Sequence, residues 1–267
     1  MICIIPQHAQ SERLPRKAFR DICGIPLVAW SVIQAKAAHS VEAVYVSTES
    51  QEIAEICAQY GAEIIWRPQW LQDKAFSASV PLEHALHELG IHDKHEPFLS
   101  KLATSPLLFP DDIDRVHARF LEAEGIPIGI GKQVVLGADV PEIVAYRQVR
   151  NPEDKLCVAN YVDKSQKAVI PFGAMNIVCP DSYLAGNRRA EWFFEAGEVT
   201  DADMDDEFVD SGKLIGNALL YYVPCRAWQT IDIDDEQGLE MVEMFMEHKI
   251  LKGKGAEIYY EYARSRD

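Results

Sequence analysis

Arg13, Arg16, Lys17 and Arg20 fall in one short stretch, SERLPRKAFR (11–20), of a chain whose formal net charge is −16. Cations gathered against an acidic background suit a local anion. Lysine offers a point charge there, and arginine a planar fork that binds two phosphate oxygens. The stretch is neither a Walker A loop nor a Gly-x-Gly-x-x-Gly turn, because no glycine precedes Gly24. A phosphate here must therefore be met by side chains. The same cations would serve as a solvated loop paired with the abundant Asp and Glu, so charge alone leaves both readings open.

A second group sits near the other end, in TIDIDDEQGLEMVEMF (230–245). Asp232 and Asp234 alternate with Ile231 and Ile233. On a strand such residues share a face, about 6.5–7 Å apart. Two carboxylates at that spacing can share a hard divalent cation, with waters and phosphate oxygens completing its shell. Asp234 or Asp235 also suits the N-cap of the helix that follows, and the two roles are compatible. In LATSPLL (102–108), Thr104 and Ser105 carry hydroxyls that can bond a ligand or merely shape the turn before Pro106.

These groups need a frame that brings them together, and the apolar pattern supplies one. Strands are expected at 2–5, 41–47, 63–66 and 98–102, alternating with helices at 27–37, 51–60, 80–89 and 111–122. Gly61 and Gly90 stand at helix ends. This alternation means βαβ units and a mostly parallel, doubly wound α/β sheet, which binds ligands outside the carboxyl ends of its strands. The basic stretch follows the first strand and falls at that edge. From about Ile126 the pattern turns strand-like: 126–130, 142–148, 167–178, 219–223 and 229–233. A short helix is expected at 181–185, an acidic loop at 195–213 and a closing helix at 235–248. Residues 1–267 are expected to form one domain, with 140–190 as an arm.

With 267 residues, 48% hydrophobic and 25% charged, the chain can bury a sizeable core. The acidic balance argues against nucleic acid and anionic membrane as partners. Six cysteines without a Cys-x-x-Cys pair read as reduced, mostly buried thiols of a cytoplasmic protein. MICII is too short for a signal peptide, and no run reaches the ~20 apolar residues of a membrane span. His84 reads as packed or on the surface, and Trp66 and Trp70 as core or arm contacts.

The stretch IIPQHAQSERLPRKAF…GIPLVAWSV resembles the opening of the cytidylyltransferases that make CMP-activated acidic sugars, chiefly the N-acylneuraminate branch. That family begins with a strand, then R-x-x-S-x-R-x-P-x-K-N, then G-x-P-L. VYVSTESQEIAEICAQYGAEIIWRP, SASVPLEHAL, TSPLL, FGAMNIV and IDIDDEQGLE continue the resemblance in order along the chain. It implies a Rossmann-like nucleotidyltransferase fold with a small dimerisation arm, a homodimer, and CTP and Mg²⁺. The implied reaction is attack by the anomeric hydroxyl of a 2-keto-3-deoxy sugar acid on the α-phosphate, releasing pyrophosphate.

Carried over position by position, the resemblance implies that Ser11, Arg13 and Lys17 bind nucleotide, with Arg13 and Lys17 also acting in catalysis. It places Arg67 in the family's Arg-Pro pair, Ser77 or Ser79 near a nucleotide-side serine, and Thr104 and Ser105 in the Thr-Ser-Pro turn. Asp232 and Asp234 fall on its metal-binding aspartates. The chain departs from the motif at its first Arg, which is His8, at its glycines, Ala9 and Gln10, and at its final Asn, Ala18. The base-side Gln-Pro is Leu102-Ala103, and the arm's Arg-Gln pair has no counterpart in DKSQK (163–167). Three readings follow: an N-acylneuraminate-type enzyme, an enzyme of the CMP-Kdo type, and a nucleotide-binding homologue with altered specificity or no catalysis.

Overall fold

The computed structural model describes residues 1–11, 13–72, 79–122, 128–135, 146–147, 157–158, 167–181, 183–184 and 221–259. The chain opens with β1 (Ile2–Pro6), a three-ten turn (Lys17–Phe19) and a tight hairpin of β2 (Asp21–Ile22) and β3 (Ile25–Pro26). Then come α1 (Leu27–Ala37), β4 (Ala43–Thr48), α2 (Gln51–Gln59), β5 (Glu63–Trp66), α3 (Ser79–Glu88), β6 (Phe98–Lys101) and α4 (Pro110–Glu122). The second half gives β7 (Ile128–Val135), β8 (Tyr146–Arg147), β9 (Cys157–Val158), β10 (Lys167–Val178), β11 (Tyr221–Cys225) and α5 (Glu236–Phe245).

A seven-stranded sheet runs β11-β7-β10-β6-β1-β4-β5. The pairs β5–β4, β4–β1, β1–β6 and β7–β11 are parallel, and β10 runs antiparallel to both β6 and β7. The sheet is therefore mostly parallel, as expected. Cys3, Ile4 and Ile5 are all buried because helices cover both faces. Cys3 and Ile5 pack with Val28 and Val32 of α1, Ile53 of α2 and Val116 of α4. Ile4, Ile65 and Phe98 pack on the opposite face with Leu82, Ala85 and Leu86 of α3. Helix α1 is buried all round, because its outer side receives Leu239 and Val242 of α5 along with Met246, Ile250 and Tyr259.

Gly61 and Gly90 have φ of +87° and +64° at the ends of α2 and α3, the left-handed conformation expected there. Within 140–190, β10 belongs to the central sheet, while β8 and β9 pair in a separate two-stranded ladder. The helical residues of the expected 181–185 helix lie at 180–181 and 183–184. The acidic loop 195–213, Ser77, the 163–166 part of DKSQK and the tail beyond 259 lie outside the described residues. Cys3, Cys23, Cys57, Cys179 and Cys225 are buried free thiols. Trp66 and Trp70 are exposed, which corrects a core place for them, and the Trp70 ring meets His84 edge-to-face with centroids 6.3 Å apart. No helix among the described residues is long and apolar enough to cross a membrane.

One element differs in kind. A strand was expected over 229–233; the chain instead makes a three-ten turn (Ala227–Thr230) and runs irregularly to α5. The cause is Gln229. Its buried amide donates to Asp112 Oδ2 at 2.7 Å and to the Leu107 carbonyl at 3.2 Å, while its Oε1 accepts from the Arg226 amide at 2.9 Å. Those bonds require a tight turn, and alternation of Ile and Asp does not override them.

Candidate active site

Strand β1 lies between β4 and β6, so the crossovers leave β1 and β6 in opposite directions. A crevice opens at the carboxyl ends of such a strand pair. The stretch after β1 and the Thr104–Ser105 turn after β6 both leave from there. Thr104 is half-buried and Ser105 buried. Ser11 is half-buried in the basic stretch. Ser79 opens α3, and only its backbone is described.

The basic stretch is pinned by Leu14, buried between its cations, and the acidic segment by Ile233, buried between Asp232 and Asp234. Both side chains enter one cluster with Ile22, Trp30 and Leu107. Two apolar anchors thus bring distant charges together. Arg13 Nη1 donates to Asp234 Oδ2, and Lys17 Nζ lies 3.4 Å from Asp234 Oδ1. The Lys17 side chain is only 13% exposed, against 73% for Arg13, so Lys17 is the more firmly placed cation. Arg20 pairs with Glu236, and Arg16 with Glu52 at 2.5 Å. Pairing with acids, one of the two readings of this stretch, therefore holds, yet Arg13 and Lys17 meet on a single carboxylate.

Asp232 and Asp234 do not alternate along a strand, but they flank the buried Ile233. Asp232 is exposed, and its Oδ1 accepts from the Ile233 amide at 3.0 Å. Asp235 caps α5, its Oδ1 accepting from the Gly238 amide at 2.7 Å. The oxygen-only donor set of Asp232 and Asp234, beside cations that would hold phosphate, fits a hard divalent ion.

His8 and Arg67 meet through a residue that sequence reasoning missed. Glu49, just after β4, accepts from His8 Nδ1, from the Ala9 amide at 2.7 Å and from Arg67 Nη1 at 3.3 Å. Arg67 is fixed further by Ser47, with Nε on its hydroxyl at 3.1 Å and Nη2 on its carbonyl at 2.8 Å. Burial pulls the Arg67 pKa below its ordinary value, and Glu49 opposes that shift. His8 Nε2 is buried without a hydrogen-bond partner among the described residues. Ala18, at the motif's Asn, turns inward and packs with Cys3 and Val28. Leu102 extends the β6–β10 pairing, its amide donating to Ala174 at 2.8 Å.

Residues 2–176 match the model of the cytidylyltransferase family. A pseudaminic acid cytidylyltransferase of Campylobacter jejuni is 29% identical over 123 residues, 45% of this chain and 53% of the relative. The CMP-N,N'-diacetyllegionaminic acid synthase of Legionella pneumophila is 39% identical over 66 residues, 25% of this chain and 28% of the relative. A 3-deoxy-manno-octulosonate cytidylyltransferase of Chlorobium phaeovibrioides is 31% identical over 123 residues, 46% and 47% of the two chains. The chain thus spans about half the length, or less, of these curated relatives. Among solved structures, a CMP:2-keto-3-deoxy-manno-octonic acid synthetase complexed with CTP has a TM-score of 0.62 at 15% identity, covering 93% of this chain and 98% of that one. A 4-diphosphocytidyl-2C-methyl-D-erythritol synthase has a TM-score of 0.56 at 13% identity, covering 92% and 98%. At those identities the likeness is one of fold. The family match runs from β1 into β10, well over half of the sequence, and the chain belongs to the cytidylyltransferase family.

Proposed function

We propose that this chain transfers a cytidylyl group from CTP to a 2-keto-3-deoxy acidic sugar of the nonulosonate type, releasing pyrophosphate. The observation that carries the reading is the meeting of Arg13 and Lys17 with Asp234 at the carboxyl edge of β1. The family match and the pseudaminic and legionaminic acid enzymes among its relatives support the acceptor class.

In this reading Lys17 and Arg13 hold the triphosphate and stabilise charge as it moves toward the leaving pyrophosphate. The sugar's anomeric oxygen bonds to the α-phosphorus as the bond from that phosphorus to the bridging oxygen breaks. Pyrophosphate leaves with the electron pair, and the hydroxyl proton passes to solvent. A triphosphate that takes Arg13 and Lys17 releases the oxygens of Asp234, which with Asp232 would hold Mg²⁺. When bound, that ion supplies charge neutralisation at the phosphate oxygens. His8, Ser11, Arg67, Ser77, Ser79, Thr104 and Ser105 are assigned to the nucleotide. A homodimer through 140–190 and a cytoplasmic location complete the proposal; buried free thiols are compatible with the latter.

The Kdo acceptor is the second reading, supported by the Chlorobium relative and by the fold likeness to the octonic acid synthetase. Pyrophosphate release with Mg²⁺ is to be measured for each nucleoside triphosphate against neuraminate, legionaminate, pseudaminate and Kdo. The expected result is release that requires CTP and a nonulosonate together. Lys17→Ala should weaken CTP binding about 10- to 100-fold, the worth of a bond between charged partners. Silence across the panel with CTP still bound would favour the non-catalytic homologue, and no binding at all would overturn the nucleotide site.

A further inference from the structure

A second cluster of ligating side chains lies at the other end of the sheet. Val178 pairs with Phe98 at the amino-terminal end of β6, so the loop before β6 and the chain leaving β10 emerge together there. His95 comes from the first, Cys179 and Asp181 from the second. One ligand atom from each, an imidazole nitrogen, the thiol sulfur and a carboxylate oxygen, lie within 4.8 Å of one another. His95 Nδ1 and Asp181 Oδ2 are 2.9 Å apart, and Cys179 Sγ donates to the His95 carbonyl at 2.9 Å.

We propose that His95, Cys179 and Asp181 bind a single borderline-soft transition metal ion, zinc being the natural occupant, as a staple between the loop before β6 and the end of β10. A thiolate, an imidazole and a carboxylate form a mixed donor set that zinc takes and that Mg²⁺ and Ca²⁺, which prefer oxygen alone, do not. Zinc–ligand bonds of about 2.0–2.3 Å place tetrahedral ligand atoms about 3.3–3.8 Å apart. The widest separation must therefore close by at most roughly 1 Å, while the 2.9 Å contact of His95 with Asp181 opens slightly. His95, whose side chain is 87% exposed, can move that far without disturbing the core. Cys179 is the fixed member, 7% exposed. Its thiol donates to the His95 carbonyl, so metal entry displaces that proton as the thiolate forms. Three protein ligands leave a fourth position for water. The place is remote from the basic stretch, and the inference does not depend on the transferase reading.

The test is titration of the reduced, chelator-stripped chain with Zn²⁺ and, separately, Co²⁺. Wild type should bind one zinc that excess Mg²⁺ does not displace, and Co²⁺ should give a sulfur-to-metal charge-transfer band. Cys179→Ser should lose both, and His95→Ala and Asp181→Asn should weaken zinc at least about tenfold. Equal zinc affinity in wild type and Cys179→Ser, or a cobalt–sulfur band that survives that change, would overturn the proposal. If Cys179→Ser does not fold, the exposed His95→Ala variant decides, and unchanged affinity in it, with unchanged circular dichroism, overturns the proposal equally.

Discussion

Glu49 shows how one carboxylate can organise a loop. Its side chain is 11% exposed and faces an Arg67 side chain that is 4% exposed. It also accepts the Ala9 amide and His8 Nδ1. Removing the charge leaves the Arg67 guanidinium buried without its counter-ion, and breaking such a pair costs about 3–5 kcal/mol. Removing both charges costs less than the two single losses together. Urea denaturation of Glu49→Gln, Arg67→Met and the double variant should therefore give a double-mutant coupling above about 1 kcal/mol. Coupling indistinguishable from zero would mean that Arg67 is held by Ser47 alone. The sequence made Arg67 legible through its Arg-Pro pair and His8 through the motif position it replaces. Glu49 was not legible, because its three partners come from after β1 and after β5, and nothing local to STES announces them.

At the scale of elements, what matters is how an irregular segment holds two aspartates in place. Gly238, in the first turn of α5, allows this: a Cβ built there would lie 2.9 Å from the Asp232 carbonyl oxygen and 3.4 Å from Asp235 Oδ1. The near atom is backbone, so it cannot simply swing away. Gly238→Ala should shift the 232–235 segment and strain the Asp235 cap, which is worth about 1 kcal/mol. The expected outcome is a loss of about 1–2 kcal/mol in urea denaturation, with pyrophosphate release reduced more than stability alone would require. A variant of full activity and stability would show that the segment yields freely. Helices and strands were legible here where a local apolar pattern decided them: α1 (Leu27–Ala37), β5 (Glu63–Trp66) and β10 (Lys167–Val178) fall at the expected residues. One exception was 229–233, where Gln229 answers to Asp112 and Leu107, more than a hundred positions away. The placement of Asp232 and Asp234 beside Lys17 thus rests on the burial of Ile233 and not on strand alternation.

For the molecule as a whole, the most consequential charge is one with no evident surface role. Lys101 of β6 is fully buried against α1, its Nζ 3.0 Å from Ser31 Oγ, a hydroxyl where a carboxylate would offset the charge better. Burial pulls its pKa from 10.5 down to about 8, with Cys3 nearby acting in the other direction. Between these values the unfolded chain holds a proton that the folded chain has lost, so stability rises with pH across that window. Below about 8 both states are protonated and the folded chain carries the full penalty, about 3 kcal/mol. The buried thiols have the opposite sign. Cys3 and Cys57 are pushed up to about 12 and Cys225 to about 11, from 9.0. Their contribution is complete below pH 9.0 and is lost as pH climbs through the folded values. Reduced wild-type chain should therefore gain stability from about pH 7.5 to about 9 and lose it beyond. Lys101→Met, which fits the same space without a charge, should be more stable than wild type at neutral pH by up to about 3 kcal/mol and should lack the rising limb. Urea denaturation of both chains between about pH 7 and 10 measures this directly. Parallel curves with no gain in the variant would show that Lys101 keeps its proton at no cost in the fold, and that the core at the end of β6 is far more polar than its packing indicates.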